Sequence, residues 1–220
     1  MIIAIDGPAG SGKSTVAKIV ATKLGFEYID SGAIYRSITL LGVREFENLD
    51  NKAKDVAVIL KEDEDLIKIV YENSFQKMYL GEEDVSEIIR KPEITKQVRH
   101  IANCDSCRNY VNQKMRDLAE TYSIVIDGRD IGTVVFPEAH NKFYLDASCE
   151  IRAKRRAVDL NIEIGTESYE NLLKEIQIRD EGDMKREIAP LIKADDAVVV
   201  DTSDLNIDQV VTKLLGFIKN

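Results

Sequence analysis

Gly7-Pro8-Ala9-Gly10-Ser11-Gly12-Lys13-Ser14 follows a short apolar run, Met1 to Ile5, that ends at Asp6. The run reads as a buried parallel strand. Beyond the glycines, Val16, Ile19, Val20 and Leu24 recur at helical spacing, and Gly25 supplies a stop. Strand, loop and helix are the context that G-x-x-x-x-G-K-[ST] requires. The glycines let backbone N–H groups turn inward around phosphate oxygens, and the exposed N–H groups and dipole of a helix start favour the anion. Lys13 then reaches the β- and γ-phosphates of ATP, and Ser14 places its hydroxyl on Mg²⁺. An ordinary turn has no use for Lys13 and Ser14 together. The expected ATP-binding set is Gly7, Pro8, Ala9, Gly10, Ser11, Gly12, Lys13, Ser14 and Thr15.

Outward from this loop the chain alternates. Glu27 to Ile29 reads as a strand leading through Asp30-Ser31-Gly32 into a helix from Ala33 to Leu41. The rhythm breaks at 66–85, where Leu66 to Tyr71 and Phe75 to Leu80 are β-type runs joined by Glu72-Asn73-Ser74, with a Gly81-Glu82-Glu83 turn beyond, the signature of an inserted antiparallel hairpin. Helical pattern runs from about Glu93 to Tyr122. Ser123 to Ile126 is a second buried-strand candidate ending in Asp127-Gly128-Arg129-Asp130, and Lys142 to Leu145 repeats the theme before Asp146. A helix from Ser148 to about Leu160 carries Arg152, Lys154, Arg155 and Arg156. Another begins at Asn171 and leads to Arg179, Asp183 and Arg186. Ala197 to Val200 is a last strand and Ile207 to Ile218 a closing helix. The pattern predicts an α/β fold, a P-loop NTPase core whose mainly parallel sheet is covered by helices on both faces and binds ligands beyond the carboxyl ends of its strands. Asp127 stands where P-loop enzymes place the acidic residue that helps hold Mg²⁺, directly or through water. An apolar strand ending in Asp is equally the form of a helix cap or turn.

With 220 residues, 44% apolar and 31% charged, the chain suits a single α/β domain over 1–220 with small appendages. A formal charge of −9 argues against a surface built to grip a nucleic acid polymer. No stretch approaches the roughly 20 apolar residues of a membrane span, and the N-terminus lacks a basic segment followed by an apolar run, so a cytoplasmic protein with no membrane partner is expected. Its acidic surface and size suit a monomer. Cys104, Cys107 and Cys149 are expected as reduced thiols. The Cys104-x-x-Cys107 pair is half of a zinc pattern, with no second CxxC to complete it.

Three stretches carry a resemblance that covers nearly the whole chain: Asp30-Ser31-Gly32-Ala33-Ile34-Tyr35-Arg36, Asp127 to Pro137, and Arg179-Asp180 with Asp183, Arg186 and Ala189-Pro190-Leu191. Together they are similar to bacterial cytidylate kinase. The resemblance implies a kinase moving the γ-phosphoryl of ATP, with Mg²⁺, onto CMP and dCMP. It implies a monophosphate-binding region at 31–100 that includes the β insertion, and a small helical lid at 150–165. By family analogy, Arg36 and Arg129 hold the acceptor phosphate, Arg108, Asp130 and Arg186 surround the cytosine edge, Arg179 and Asp183 meet the ribose, and Ser31 and Tyr35 line the pocket. Arginine suits the task, because its planar fork grips phosphate oxygens bidentately and stays charged. The catalytic set becomes Lys13, Arg129, Arg155 and Arg156. For Arg152, Arg155 and Arg156 a solvated basic helix face is the competing reading. Arg99 stands where related enzymes carry a small serine near the base.

Such a reaction needs no general base, since the acceptor phosphate, with a second pKa of about 6, is already ionised. A nearer alternative is a P-loop kinase acting on UMP, AMP or a small hydroxylated metabolite. A more distant one is a GTP switch. Against the switch, Asn141-Lys142-Phe143-Tyr144 lacks the final carboxylate of N-K-x-D, and Asp127-Gly128-Arg129-Asp130 is not D-x-x-G.

Overall fold

The computed structural model describes residues 1–46, 48–72 and 75–219. The chain divides into two compact units, one of residues 1–26 with 125–220 and one of residues 27–124.

In the first unit, β1 (Ile2–Asp6) pairs in parallel with β7 (Asn141–Asp146), which pairs in parallel with β8 (Val198–Asp201). Ile3, Ala4 and Ile5 are each fully buried, as are Val125 and Ile126 of β6 (Ile124–Gly128). Strands buried at consecutive positions bury both faces, so helices cover both sides, as the continuous apolar runs predict. Val199 of β8 is 48% exposed, which marks that strand as less covered. α1 (Lys13–Leu24) ends at Gly25 in the left-handed conformation, φ 68°, and packs with α8 (Ile207–Phe217). α6 (Cys149–Asp159) and α7 (Glu167–Lys185) pack together through Ala153, Ala157, Tyr169, Leu172 and Ile176, a small core of their own.

The second unit opens with β2 (Glu27–Asp30), which feeds α2 (Ser31–Glu45). The inserted hairpin is present as β3 (Ile67–Glu72) and β4 (Phe75–Leu80), in antiparallel register from Ile67↔Leu80 to Glu72↔Phe75, with the short β5 (Glu83–Asp84) extending it to three strands. Of its predicted connection, Asn73 and Ser74 lie outside the described residues. The helical stretch predicted over 93–122 is two helices, α4 (Pro92–Ala102) and α5 (Asp105–Thr121). Asn103 and Cys104 interrupt it, Cys104 taking an extended conformation before the acidic first turn of α5. α3 (Ala53–Glu62) was not anticipated; it buries Val56, Ala57 and Leu60. The Cys107 thiol donates to Ala53 O at 3.2 Å, and all three cysteines are free thiols. No helix among the described residues is long and apolar enough to cross a membrane.

Candidate active site

The glycine-rich loop leaves the sheet at Gly7, whose φ is 145° and where a Cβ would lie 2.1 Å from Leu145 O. Only glycine permits that close passage over β7. At the far end, Gly12 caps α1 in the left-handed conformation, φ 88°, and a Cβ there would meet nothing within 4 Å. The first turn of α1 carries no acidic residue, so its N–H groups and dipole are left to attract an external anion. Lys13 folds back over the loop and donates to Pro8 O at 2.7 Å and to Ser11 Oγ at 3.4 Å. Burial pushes its ammonium down to about 7, with Arg129 adding to the shift and Asp127 and Asp6 opposing it. A poorly solvated cation of this kind gains strongly from a phosphate oxygen.

Ser14 Oγ donates to Asp127 Oδ2 at 2.8 Å, which joins the start of α1 to the end of β6. A hydroxyl and a carboxylate oxygen at hydrogen-bond distance are the donor types a hard divalent cation accepts. Among the described residues no group of three or more His, Cys, Asp or Glu side chains could hold a metal ion unaided. A cation held by this pair would need further oxygen ligands, which phosphate and water could supply.

Beyond β6 the acidic and basic side chains pair. Arg129 Nε donates to Asp183 Oδ2 at 2.8 Å, and Arg186 Nη2 lies 3.3 Å from Asp130 Oδ1 while its Nε donates to Ala189 O at 2.5 Å. Burial works against the Arg129 charge, but Asp183, Asp127 and Asp180 outweigh it and hold the guanidinium protonated. Burial likewise tends to raise Asp183, and Arg129, Arg179 and Arg186 outweigh it, leaving its carboxyl below the usual range. Arg179 is exposed on α7, one turn before Asp183.

The basic run on α6 does not act as one face. Arg152 is 5% exposed; it donates to Ala147 O and to Ala9 O, both at 2.9 Å, and pairs with Asp180 at 2.6 Å. It is neither a solvated residue nor one offered to a ligand, but a brace under the phosphate loop. Arg155 donates to Thr202 O and, at 3.1 Å, to Thr202 Oγ1, and the Thr202 hydroxyl donates to Asp146 O at 3.0 Å and lies 3.3 Å from Ser11 O. Arg156 is exposed, 3.7 Å from Asp159.

Within the second unit, Ser31, Tyr35 and Arg36 share the first turns of α2, which Asp30 caps by accepting from Ala33 N at 2.9 Å. Asp30 Oδ2 also receives Arg36 Nη2 at 3.0 Å and Arg90 Nη2 at 3.3 Å, so two guanidinium groups share one carboxylate. Arg36 Nε is buried without a partner. A buried donor left open beside an excess of positive charge suits an anionic ligand. Arg90 is not among the residues expected from the sequence; it lies two positions before Pro92 in no recognisable motif. The Arg108 guanidinium of α5 lies 5.5 Å from the Tyr35 ring centroid, a cation–π contact, and donates to Ala102 O at 3.2 Å. Arg99 is exposed, its Nε 3.5 Å from His100 Nε2.

Comparison with solved structures gives the fold. An uncharacterized protein from Eubacterium ventriosum superposes with TM-score 0.53 at 14% identity, covering 99% of this chain and 98% of that one. A gluconokinase from Sinorhizobium meliloti 1021 gives TM-score 0.50 at 16% identity, covering 97% and 89%. Sequence comparison goes further. A cytidylate kinase from Carboxydothermus hydrogenoformans is 45% identical over 218 residues, 99% of this chain and 97% of that protein, and one from Bacillus licheniformis is 45% identical over 219 residues, 99% and 96%. The family model for cytidylate kinase matches residues 3–220. This chain belongs to the cytidylate kinase family. As a cytidylate kinase family member it is a phosphotransferase of P-loop fold, using ATP with a divalent metal ion. The oxygen pair of Ser14 and Asp127 fits the metal requirement of this cytidylate kinase fold, and the buried Lys13 fits its triphosphate.

Proposed function

We propose that this chain transfers the γ-phosphoryl group of ATP to CMP and dCMP, giving CDP or dCDP and ADP. The observation that carries the reading is 45% identity, over 99% of the chain, to a protein named cytidylate kinase. The metal is Mg²⁺, held through Ser14 and through Asp127 directly or by way of water. When bound, Mg²⁺ neutralises charge on the phosphate oxygens. Gly7 to Thr15 cradle the triphosphate with backbone N–H groups, and Lys13 exchanges its bond to Pro8 O for phosphate oxygens. Arg36 and Arg129 grip the acceptor phosphate bidentately, Arg36 through its open Nε.

Asp130 accepts from the cytosine amine, as carboxylates do when they read cytosine in nucleic acid, with Arg186 and Arg108 completing the base contacts. Arg179 and Asp183 meet the ribose, and Ser31 and Tyr35 line the pocket. Arg155 and Arg156 belong to a lid at 150–165 that closes over ATP and limits hydrolysis. No side chain is asked to remove a proton, so catalysis is positioning and charge neutralisation. The acidic composition supports a monomer that works in the cytoplasm without nucleic acid or membrane partners.

The test is the initial rate of ADP formation from ATP and Mg²⁺ with CMP, dCMP, UMP, AMP or no acceptor. Fast turnover confined to CMP and dCMP supports the reading. A preference for another acceptor leaves a P-loop kinase and removes the cytosine assignment.

A further inference from the structure

Asp6, the last residue of β1, has no task in the reaction described above. Its side chain is 5% exposed, and both of its oxygens are used. Oδ1 accepts from Ile131 N at 2.9 Å and Oδ2 from Gly132 N at 2.7 Å. These are successive amides at the start of a π-helical turn, Ile131–Val135, which Asp130 opens with φ −145° and ψ 25°. Two bonds from neighbouring peptide units to the two oxygens of one carboxylate fix the position and the tilt of that backbone. The packing leaves little slack, since a Cβ on Gly132 would sit 3.4 Å from Asp6 Oδ2 and 3.2 Å from Lys142 Cδ. The residues immediately before the tied amides are Arg129 and Asp130. The residue immediately after Asp6 is Gly7, where the phosphate loop departs.

A carboxylate is a costly choice at this position if stability is the sole demand. Burial pushes Asp6 up to about 6, even with the two N–H groups pulling it down, and the nearby Asp130 charge adds to the cost while Lys13 relieves it. Asparagine has nearly the same shape, but it offers one acceptor atom and would turn an N–H donor toward the second N–H. The carboxylate presents a separate acceptor oxygen to each amide, as the two bonds here require.

We infer that Asp6 is a positioning residue for phosphoryl transfer, its carboxylate setting the backbone that carries Arg129 and Asp130 relative to the start of the phosphate loop. The inference rests on the reading of Arg129 and Asp130 as acceptor-binding residues. Asp6 touches no substrate in this account and acts through those two. Displacing a positioned group by about 1 Å can cost about 10²-fold in rate. A peptide unit released from its tie allows a displacement of that order.

The experiment compares wild type with Asp6→Asn and Gly132→Ala, the second disturbing the same tie from its other end. For each protein the ATP dissociation constant, kcat, KM for CMP, the CMP-to-UMP ratio of kcat/KM and hydrogen exchange across 129–133 are measured. The expected result is a kcat lower by up to about 10²-fold, a raised KM for CMP and a reduced CMP-to-UMP ratio, with ATP affinity unchanged. Faster exchange at the Ile131 and Gly132 amides accompanies it. Unchanged CMP kinetics in both variants overturns the inference, and so does equal weakening of ATP and CMP, which marks a purely structural role. If Asp6→Asn does not fold, Gly132→Ala decides by the same criteria. If wild type makes no CDP, the cytidylate kinase reading fails on its own. Exchange at the two amides then decides this one, unchanged protection in the variants overturning it.

Discussion

Arg152 and Asp180 form a buried ion pair at 2.6 Å, and the same guanidinium donates to the carbonyls of Ala9 and Ala147. One side chain of α6 therefore holds α7, the end of β7 and the phosphate loop together. Removing one partner of a buried pair leaves the other charge uncompensated. Arg152→Ala is expected to lower stability by about 3–5 kcal/mol, read from urea unfolding. It is also expected to raise the KM for ATP, because Ala9 sits in the loop. Arg152→Lys should recover little, since one ammonium cannot span three separate acceptors as the planar fork does.

The Arg129–Asp183 pair predicts a pH dependence of stability. With the Asp183 carboxyl held below its usual range, its contribution is fully present above the unfolded value of about 3.9 and is lost as pH falls through the lower folded value. Asp183→Asn should cost stability at pH 7 and show a smaller fall than wild type on acidification below about pH 4. Urea midpoints at a series of pH values check this. Parallel curves for the two proteins would contradict it.

Base choice is predicted to rest on Asp130. Uracil presents a carbonyl where cytosine presents an amine, so a carboxylate there faces an acceptor and disfavours UMP. Asp130→Asn, whose amide can serve either base, should erode the CMP-over-UMP preference by about 1–3 kcal/mol in kcat/KM terms. An unchanged preference removes the role.

Ser14 and Asp127 meet at 2.8 Å, and their pairing predicts a metal phenotype. Ser14→Ala should raise the Mg²⁺ concentration needed for half-maximal rate while leaving CMP binding without ATP unaffected. A titration of rate against free Mg²⁺ reads the shift directly.

Lid closure is predicted from the proposed role of Arg155, which donates to Thr202, and of Arg156, which is exposed. Adding ATP and CMP together should slow hydrogen exchange across residues 150–165. Unchanged exchange there would argue against a lid.

Much of this was written in local pattern. The phosphate loop, the buried strands β1, β6 and β7 and the hairpin each declare themselves in contiguous residues. Other features were not legible there. α3 was missed: its buried apolar positions are only three, Val56, Ala57 and Leu60, among charged neighbours. The break at Asn103 and Cys104 interrupts an otherwise helical pattern with no proline or glycine to announce it. Arg152 reads as one of several basic residues on a helix, and only its burial against Asp180 distinguishes it from exposed Arg156. Asp6 gives no signal at all, because its partners are backbone amides 125 and 126 residues away, and backbone amides leave no trace in side-chain sequence. What the sequence hides is long-range pairing to main chain and the burial of charge.

The central claim is that the γ-phosphoryl group of ATP passes to the phosphate of CMP. Its most direct test is to incubate the protein with γ-labelled ATP, Mg²⁺ and CMP and to identify the labelled product. The account predicts label in the β-phosphate of CDP, matched one for one by ADP. Label released as inorganic phosphate, or ADP formed without CDP, would contradict it.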